Sequence, residues 1–195
     1  MSAEHMLLVG APLGAVVRNL TDASLGAATP CSEYDVRGLV NHLLFWGPSL
    51  AGAARKESVP PPAAGEGEVE LVGDGWVGAL GGQVGRTVEA WGVDSAWEGL
   101  TWMGGAEPMP ASVVGGMVVA ELVVHGWDLA RATGQVVDWD AGLVEFLHEQ
   151  VAMTAQQGRE MGVYGAEVGV SSDASTLDRI LGLTGRDPQW TVVGR

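Results

Sequence analysis

Apolar residues recur along most of this chain at the three- and four-residue spacing of amphipathic α-helices. The clearest stripe, at i, i+3, i+4, i+7 and i+8, is formed by Val36, Leu39, Val40, Leu43 and Leu44. Ser32, with Asp35 three residues later, resembles the N-terminal cap of this helix. We predict that the helix ends near Lys56, before a proline- and glycine-rich segment at 60–68 that is typical of a solvated loop.

The same pattern predicts further helices on both sides of this one. Their approximate ranges are 3–20, 74–91, 111–133, 138–158 and 175–184. Strand-like sequence is confined to a short run at 100–103. Long helices joined by loops predict an all-α fold, a bundle of four main helices with additions. We interpret residues 1–195 as one domain, with a core of about 1–160 and a C-terminal extension of about 161–195.

The helix at 111–133 carries acidic and basic side chains on an apolar face. Residues 113–124 are almost all apolar, yet Glu121 lies inside this run. Glu121, His125 and Asp128 are spaced i, i+4 and i+7, so they share one stripe of the helix. A buried carboxylate is costly unless it is paired or bound to a metal. Glu121 and His125 are therefore either a hydrogen-bonded pair or part of a metal site.

A metal site would need a third ligand from another helix. The chain has four histidines, and His42 is the best candidate because it borders the apolar surface of the helix that follows Asp35. Two histidines and one carboxylate with an open fourth position are typical of catalytic zinc sites, and nickel or iron would also fit this donor set. Asp128 would either orient a ligand histidine or bond a neighbouring polar group.

Other chemistries find little support in the sequence. Cys31 is the single cysteine, which excludes an internal disulfide and any site built on several cysteines. Its position after a proline is more typical of a small packing residue than of a nucleophile. No GxGxxG motif follows a predicted strand, and the glycine-rich segment at 73–75 lacks the strand-then-helix context of a phosphate-binding motif. A P-loop, a GxSxG elbow and HExxH are absent from the sequence.

The charge narrows the range of partners. Ten Lys and Arg stand against 24 Asp and Glu, giving a formal net charge of −14. Such a surface repels nucleic acid and anionic membranes. No uninterrupted apolar stretch has the ~18 residues needed to span a bilayer. We therefore expect a cytoplasmic protein that acts on small molecules, with its oligomeric state left open, a homodimer included.

Two segments of the chain resemble a known family. These are TPCSEYDVRGLVNHL at 29–43 and ELVVHGWDLARATG at 121–134. They look like the two metal-binding motifs of the DinB-like family that includes the mycothiol-dependent maleylpyruvate isomerases and their small single-domain relatives. The tail, with LDRIL at 177–181 and GRDP at 185–188, is similar to the end of those single-domain relatives.

The resemblance implies a DinB-type four-helix bundle that binds one divalent metal, usually zinc. Carried over position by position, the ligands fall on His42, Glu121 and His125. In the isomerases the open metal position takes water or the sulfur of mycothiol, and a metal-bound thiol loses its proton readily. The isomerases also have a separate C-terminal domain that completes the substrate site. Only a short helix and tail follow residue 158 here, so isomerisation itself is not carried over.

The leading hypothesis is a metal-dependent thiol S-transferase or isomerase that uses mycothiol and an electrophilic second substrate. One alternative is a metal-hydroxide hydrolase with Asp128 as general base. Another is a non-catalytic metal-binding module in a stress response or an interaction. An anionic thiol would favour an arginine in the cleft, and the sequence offers Arg37, Arg86 and Arg131. It assigns no catalytic residue beyond the metal ligands.

Overall fold

The computed structural model describes residues 2–103 and 107–192. Six α-helices account for most of them: α1 Ser2–Arg18, α2 Val36–Ala54, α3 Trp76–Trp91, α4 Ala111–Ala132, α5 Ala141–Glu160 and α6 Thr176–Leu183. The strands β1 Leu100–Thr101 and β2 Met109–Pro110 form one short antiparallel pair. Single 3₁₀ turns occupy Asp22–Ser24, Glu66–Glu68 and Asp94–Trp97. The prediction of an all-α fold is confirmed.

The first four helices form a closed bundle. Both α1 and α2 pack against α3 and against α4, so the four helices enclose one apolar core. Its largest fully buried side chains include Met6, Leu13, Leu39, Leu80 and Leu129. Helix α5 lies outside this ring against α4 and α1, and α6 packs on α5. This is the predicted arrangement of four main helices with C-terminal additions.

Helix α4 has the composition of a core helix. It is long and apolar enough to cross a bilayer, but 83% of its most apolar 18-residue window is buried within the protein. Gly126 allows a close approach next to His125, because a Cβ there would lie 2.9 Å from a methyl carbon of Leu13 and 3.2 Å from the ring of Trp139. The polar residues of α4 are therefore held in a tightly packed segment.

The start of α2 differs in detail from the prediction. Asp35, not Ser32, is the N-cap, and its Oδ1 accepts a hydrogen bond from the backbone N–H of Gly38 at 2.7 Å. The side chain of Ser32 bonds to its neighbour Glu33 instead. Asp35 is itself extended (φ −77°, ψ 179°) and pairs with Ala28 through an isolated bridge, so the helix begins at the next residue.

The chain after α5 returns to the bundle. The backbone of Val168 donates to the carbonyl of Gly182 at 3.0 Å, which joins the connecting loop to α6. After α6, Gly185 takes the left-handed conformation (φ 83°) that glycine adopts without strain. The segment that follows lies against the C-terminal half of α4, where Arg131 bonds the carbonyl of Trp190. The extension thus packs onto the helix that carries Glu121 and His125.

Candidate metal centre

Two facing helices bring the three predicted ligands together. His42 extends from α2, and Glu121 and His125 extend from adjacent turns of α4. Each offers a ligand atom within 4.8 Å of the other two. The Nε2 atom of His42 lies 2.8 Å from Glu121 Oε1, and that of His125 lies 3.7 Å from Glu121 Oε2. We call these three residues the candidate centre; that they bind a metal stays a prediction.

A second carboxylate lies behind His42. Its Nδ1 is 3.1 Å from Glu66 Oε1 and 3.1 Å from the hydroxyl of Tyr34. Glu66 is itself fixed by Trp46, whose indole N–H donates to Oε2 at 2.9 Å. When Nδ1 donates its proton to Glu66, the lone pair of neutral His42 is on Nε2, which faces Glu121.

Glu66 reaches His42 because its loop is bound to α2. The side chain of Asn41 donates to the carbonyl of Val69 at 2.9 Å and accepts from the backbone N–H of Leu71 at 2.7 Å. The composition of residues 60–68 predicted a solvated loop. That description fails for Glu66, whose side chain is 22% exposed and contacts a predicted ligand.

His125, like His42, has an outer carboxylate at Nδ1. The Nδ1 atom of His125 lies 2.9 Å from Oδ2 of Asp128, one turn further along α4. Both histidines therefore present Nε2 to the two oxygens of Glu121 and Nδ1 to an outer carboxylate. Carboxylates that bond the distal nitrogen of a ligand histidine are a recurring feature of metal sites. Two imidazoles and a carboxylate suit zinc, and the residues present fit a divalent cation.

The charges of these groups shift their pKa values strongly. Burial alone would raise the pKa of Glu121, but the charge of His125 and the hydrogen bond from His42 outweigh it and lower that pKa to about 2. Burial would likewise lower the pKa of His42, but its hydrogen bond to Glu121 and the charges of Glu121 and Glu66 raise it to about 8. In the metal-free protein His42 is thus largely protonated at neutral pH. A cation must displace that proton to use Nε2.

The candidate centre is open on one side. The side chain of Glu121 is 23% exposed and that of His42 is 16% exposed, whereas Asp128 is fully buried. The sequence predicted that Glu121 faces the core and not water, but its side chain is partly exposed. At this turn the carboxylate of Glu121 meets the imidazole of His42 at 2.8 Å, and its side chain is partly exposed at the edge of the packed region.

Comparison with known proteins identifies the family. Residues 8–130 match the family described as the mycothiol maleylpyruvate isomerase N-terminal domain. This chain belongs to that family. An uncharacterized protein found in two strains of Mycobacterium tuberculosis is 30% identical to it over 149 residues, which cover 76% of each chain. No solved structure matches the present chain. The predicted relationship is confirmed.

Membership in the isomerase N-terminal domain family makes the chain mycothiol-related and a member of a metal-binding group. The three residues of the candidate centre lie within the matched segment, and so do the outer carboxylates Glu66 and Asp128. The matched segment thus includes α2 and nearly all of α4, the helices that carry the candidate centre. The specific reaction and the identity of the metal remain to be proposed.

One buried arginine reaches this region from outside the matched segment. Arg186 is 6% exposed, and its Nη2 lies 3.1 Å from Asp128 Oδ2 and 3.5 Å from His125 Nδ1. The arginines considered from the sequence have other partners: Arg37 bonds Glu70, Arg86 bonds Gln83 and Arg131 bonds the carbonyl of Trp190. Arg186 lies in the GRDP segment, but no periodicity there indicates which surface its side chain contacts.

Cys31 lies beside His125 on the buried side. Cys31, His125 and Asp128 also offer ligand atoms within 4.8 Å of one another. Burial raises the pKa of the Cys31 thiol, and the nearby charge of Arg186 offsets this only in part. A neutral thiol is a poor metal ligand, and the Arg186 guanidinium repels a cation next to Asp128. These facts favour the packing interpretation of Cys31.

Proposed function

We propose that this protein binds one divalent metal ion at His42, Glu121 and His125 and uses it in thiol S-transfer or isomerisation with mycothiol. One observation carries the proposal. Both histidines direct Nε2 to the two oxygens of a single carboxylate, while both Nδ1 atoms contact outer carboxylates. A hydrogen-bonded Glu–His pair needs only one such contact, whereas two imidazoles around one carboxylate, each with an outer carboxylate at Nδ1, are the arrangement typical of a metal site.

A bound zinc ion, or nickel or iron in its place, would lower the pKa of a thiol at its open position and so favour the nucleophilic thiolate. The residues of the chain hold the donor atoms in place. Glu66 and Asp128 fix the two histidines through Nδ1, and the side chain of Glu121, which is 23% exposed, is open to solvent. The second substrate would be an electrophile that approaches from the same exposed side.

The hydrolase alternative finds less support. It requires a general base near the metal, and Asp128 was the sequence candidate. Asp128 is fully buried and bonds Nδ1 of His125 and the guanidinium of Arg186. A carboxylate with those partners orients a ligand rather than taking a proton from a water on the far side of the imidazole.

A non-catalytic metal-binding module is the remaining alternative. Structural zinc sites are closed by four protein ligands. The candidate centre offers three, and its carboxylate is 23% exposed. The open side favours chemistry, and we expect the protein to act on small molecules in the cytoplasm of a bacterium that makes mycothiol. The net charge of −14 is unfavourable for a nucleic acid partner.

Metal analysis of the untagged protein tests the proposal. We expect about one equivalent of zinc per chain, its loss in His125→Ala, and its retention in His148→Ala, which removes a histidine on α5 away from the centre. Cobalt-loaded wild type titrated with mycothiol should develop a sulfur-to-metal charge-transfer band. Metal that does not respond to the thiol would favour the hydrolase or the module. No metal in wild type, even after zinc is supplied, would contradict the proposed function.

A further inference from the structure

A continuous line of polar contacts joins the C-terminal extension to the candidate centre. The guanidinium of Arg186 donates to Asp128 Oδ2 at 3.1 Å, and the same oxygen accepts from His125 Nδ1 at 2.9 Å. On the opposite edge of that imidazole, Nε2 faces Glu121 Oε2 at 3.7 Å. Arg186 thus meets the centre at His125, through the shared oxygen of Asp128 and by the approach of its own Nη2 to within 3.5 Å of Nδ1.

The ion pair between Asp128 and Arg186 is buried, so neither charge can be solvated if its partner is removed. Asp128 is fully buried and Arg186 is 6% exposed. Within the part of the chain that the structure describes, the other oxygen of Asp128, Oδ1, has no hydrogen-bond partner. Oδ2 therefore carries both of the known bonds of this carboxylate. A buried carboxylate needs a compensating charge, and Arg186 is the cation in contact with it.

The guanidinium is placed by the fold of the extension. The backbone N–H of Arg186 donates to the carbonyl of Leu181 at 2.8 Å, and its Nη1 donates to the carbonyl of Thr184 at 2.7 Å. Farther away, Arg159 of α5 donates to the carbonyl of Leu183 at 3.0 Å. Arg159 thus supports the same segment without a contact to Asp128, which makes it a matched control for Arg186.

We infer that Arg186 is a positioning residue for the metal centre. It holds Asp128 against Nδ1 of His125, and so keeps the lone pair of His125 on Nε2, toward Glu121. The inference rests on the proposed function for its consequence, which is tighter metal binding. It assigns a role to a segment outside residues 8–130, the part of the chain that matches the family.

Zinc affinity in a set of variants tests this role. We expect Arg186→Met to weaken binding by roughly tenfold to a hundredfold, the usual effect of losing an outer partner of a ligand. Arg186→Lys should recover part of that loss because it restores a cation. Arg159→Met should bind zinc as wild type does, even if it lowers the melting temperature. Equal affinities for wild type and folded Arg186→Met would overturn the inference.

A double-mutant cycle separates positioning from a general effect of the extension. If Arg186 acts through Asp128, then adding Arg186→Met to Asp128→Asn should weaken zinc binding by less than about threefold, well short of the tenfold or greater loss expected in wild type. A full additional loss in the Asp128→Asn background would overturn the inference. If Arg186→Met does not fold, the comparison of wild type with Arg186→Lys, each alone and with Asp128→Asn, supplies the same cycle.

A second readout requires no metal. In ¹⁵N-histidine-labelled, metal-free wild type near pH 9, we expect the proton of neutral His125 on Nδ1. In Arg186→Lys or Arg186→Met we expect a mixture of the two tautomers, and in Arg159→Met the wild-type form. The same tautomer in all variants would contradict the inference. Failure of wild type to bind zinc, with these tautomers as expected, would instead contradict the proposed function alone.

Discussion

The two histidines of the candidate centre have the same hydrogen-bond pattern but are held by different kinds of surroundings. His42 is backed by Glu66, a loop residue that is 22% exposed. His125 is backed by Asp128, which is fully buried and paired with Arg186. A buried ion pair tolerates the loss of one partner poorly, whereas a partly exposed one can be solvated. The His125 side should therefore be rigid and intolerant of change, and the His42 side adaptable.

The sharpest test of this contrast is to remove each outer carboxylate. Asp128→Ala leaves the Arg186 guanidinium buried without its partner, and we expect a loss of about 3–5 kcal/mol in the free energy of unfolding. Glu66→Ala should cost about 1 kcal/mol or less, since water can reach its partners. Urea unfolding of both metal-free variants measures the difference. Equal losses would remove the distinction between the two sides.

The pH dependence of stability reports on the His42 side. The pKa of the His42 imidazole is about 8 in the folded protein, above the ordinary histidine value of about 6.5. The corresponding stabilisation is fully present below pH 6.5 and is lost as the pH rises through 8. At about 1.4 kcal/mol per pKa unit, it amounts to about 2 kcal/mol. Unfolding of the metal-free protein at pH 6 and pH 9 should show this difference.

The control for this dependence is His42→Gln, in which the pH 6 to pH 9 difference should shrink by about 2 kcal/mol. With zinc bound the trend should reverse, because a cation competes with the proton on His42 and binds more tightly as the pH rises. A variant that keeps the full wild-type difference would show that another group causes it.

Metal affinity compares the two sides more finely. Glu66→Gln keeps the size of the side chain but weakens the acceptor for His42 Nδ1. We expect zinc affinity to fall by about tenfold, toward the lower end of the range for outer partners. Asp128→Asn alone should lower zinc affinity by a larger factor than Glu66→Gln does, because Asp128 is buried. Competition with a chromophoric chelator measures both values, and a larger loss in Glu66→Gln would invert the proposed order.

The smallest expected effect is that of Trp46, whose hydrogen bond to the centre's surroundings is the one to Glu66. Trp46→Phe removes the indole N–H that donates to Glu66 Oε2 at 2.9 Å but keeps most of the apolar surface. We expect a two- to fivefold loss of zinc affinity, in line with a hydrogen bond worth about 1 kcal/mol. In the Glu66→Gln background the same substitution should have almost no effect. An undiminished effect there would separate Trp46 from the centre.

Sequence patterns predicted the helices and the three residues of the candidate centre for one physical reason. Helical periodicity states which side chains share a face, and Glu121 with His125 is conspicuous on an apolar face. His42 could be found because its own helix has an equally clear stripe and cap. Helical periodicity and helix caps are local properties of a segment, and they can be recognised without knowledge of the tertiary contacts.

The outer partners could not be predicted in the same way. Glu66 lies in a loop that reaches His42 only because Asn41 bonds the loop backbone. Arg186 lies 58 residues after Asp128 and reaches it through the turn at Gly185. Neither position has a periodicity that relates it to the centre. Such contacts follow from tertiary structure, so composition and spacing carry little signal for them.

X-ray absorption at the zinc edge tests the central claim most directly, because it identifies the atoms bound to the metal. In zinc-loaded protein without added thiol, we predict nitrogen and oxygen neighbours only, at about 2.0–2.2 Å. Addition of mycothiol should introduce one sulfur at about 2.3 Å. Sulfur in the thiol-free protein, lost in Cys31→Ser, would place the metal with Cys31, His125 and Asp128 and contradict a centre formed by His42, Glu121 and His125.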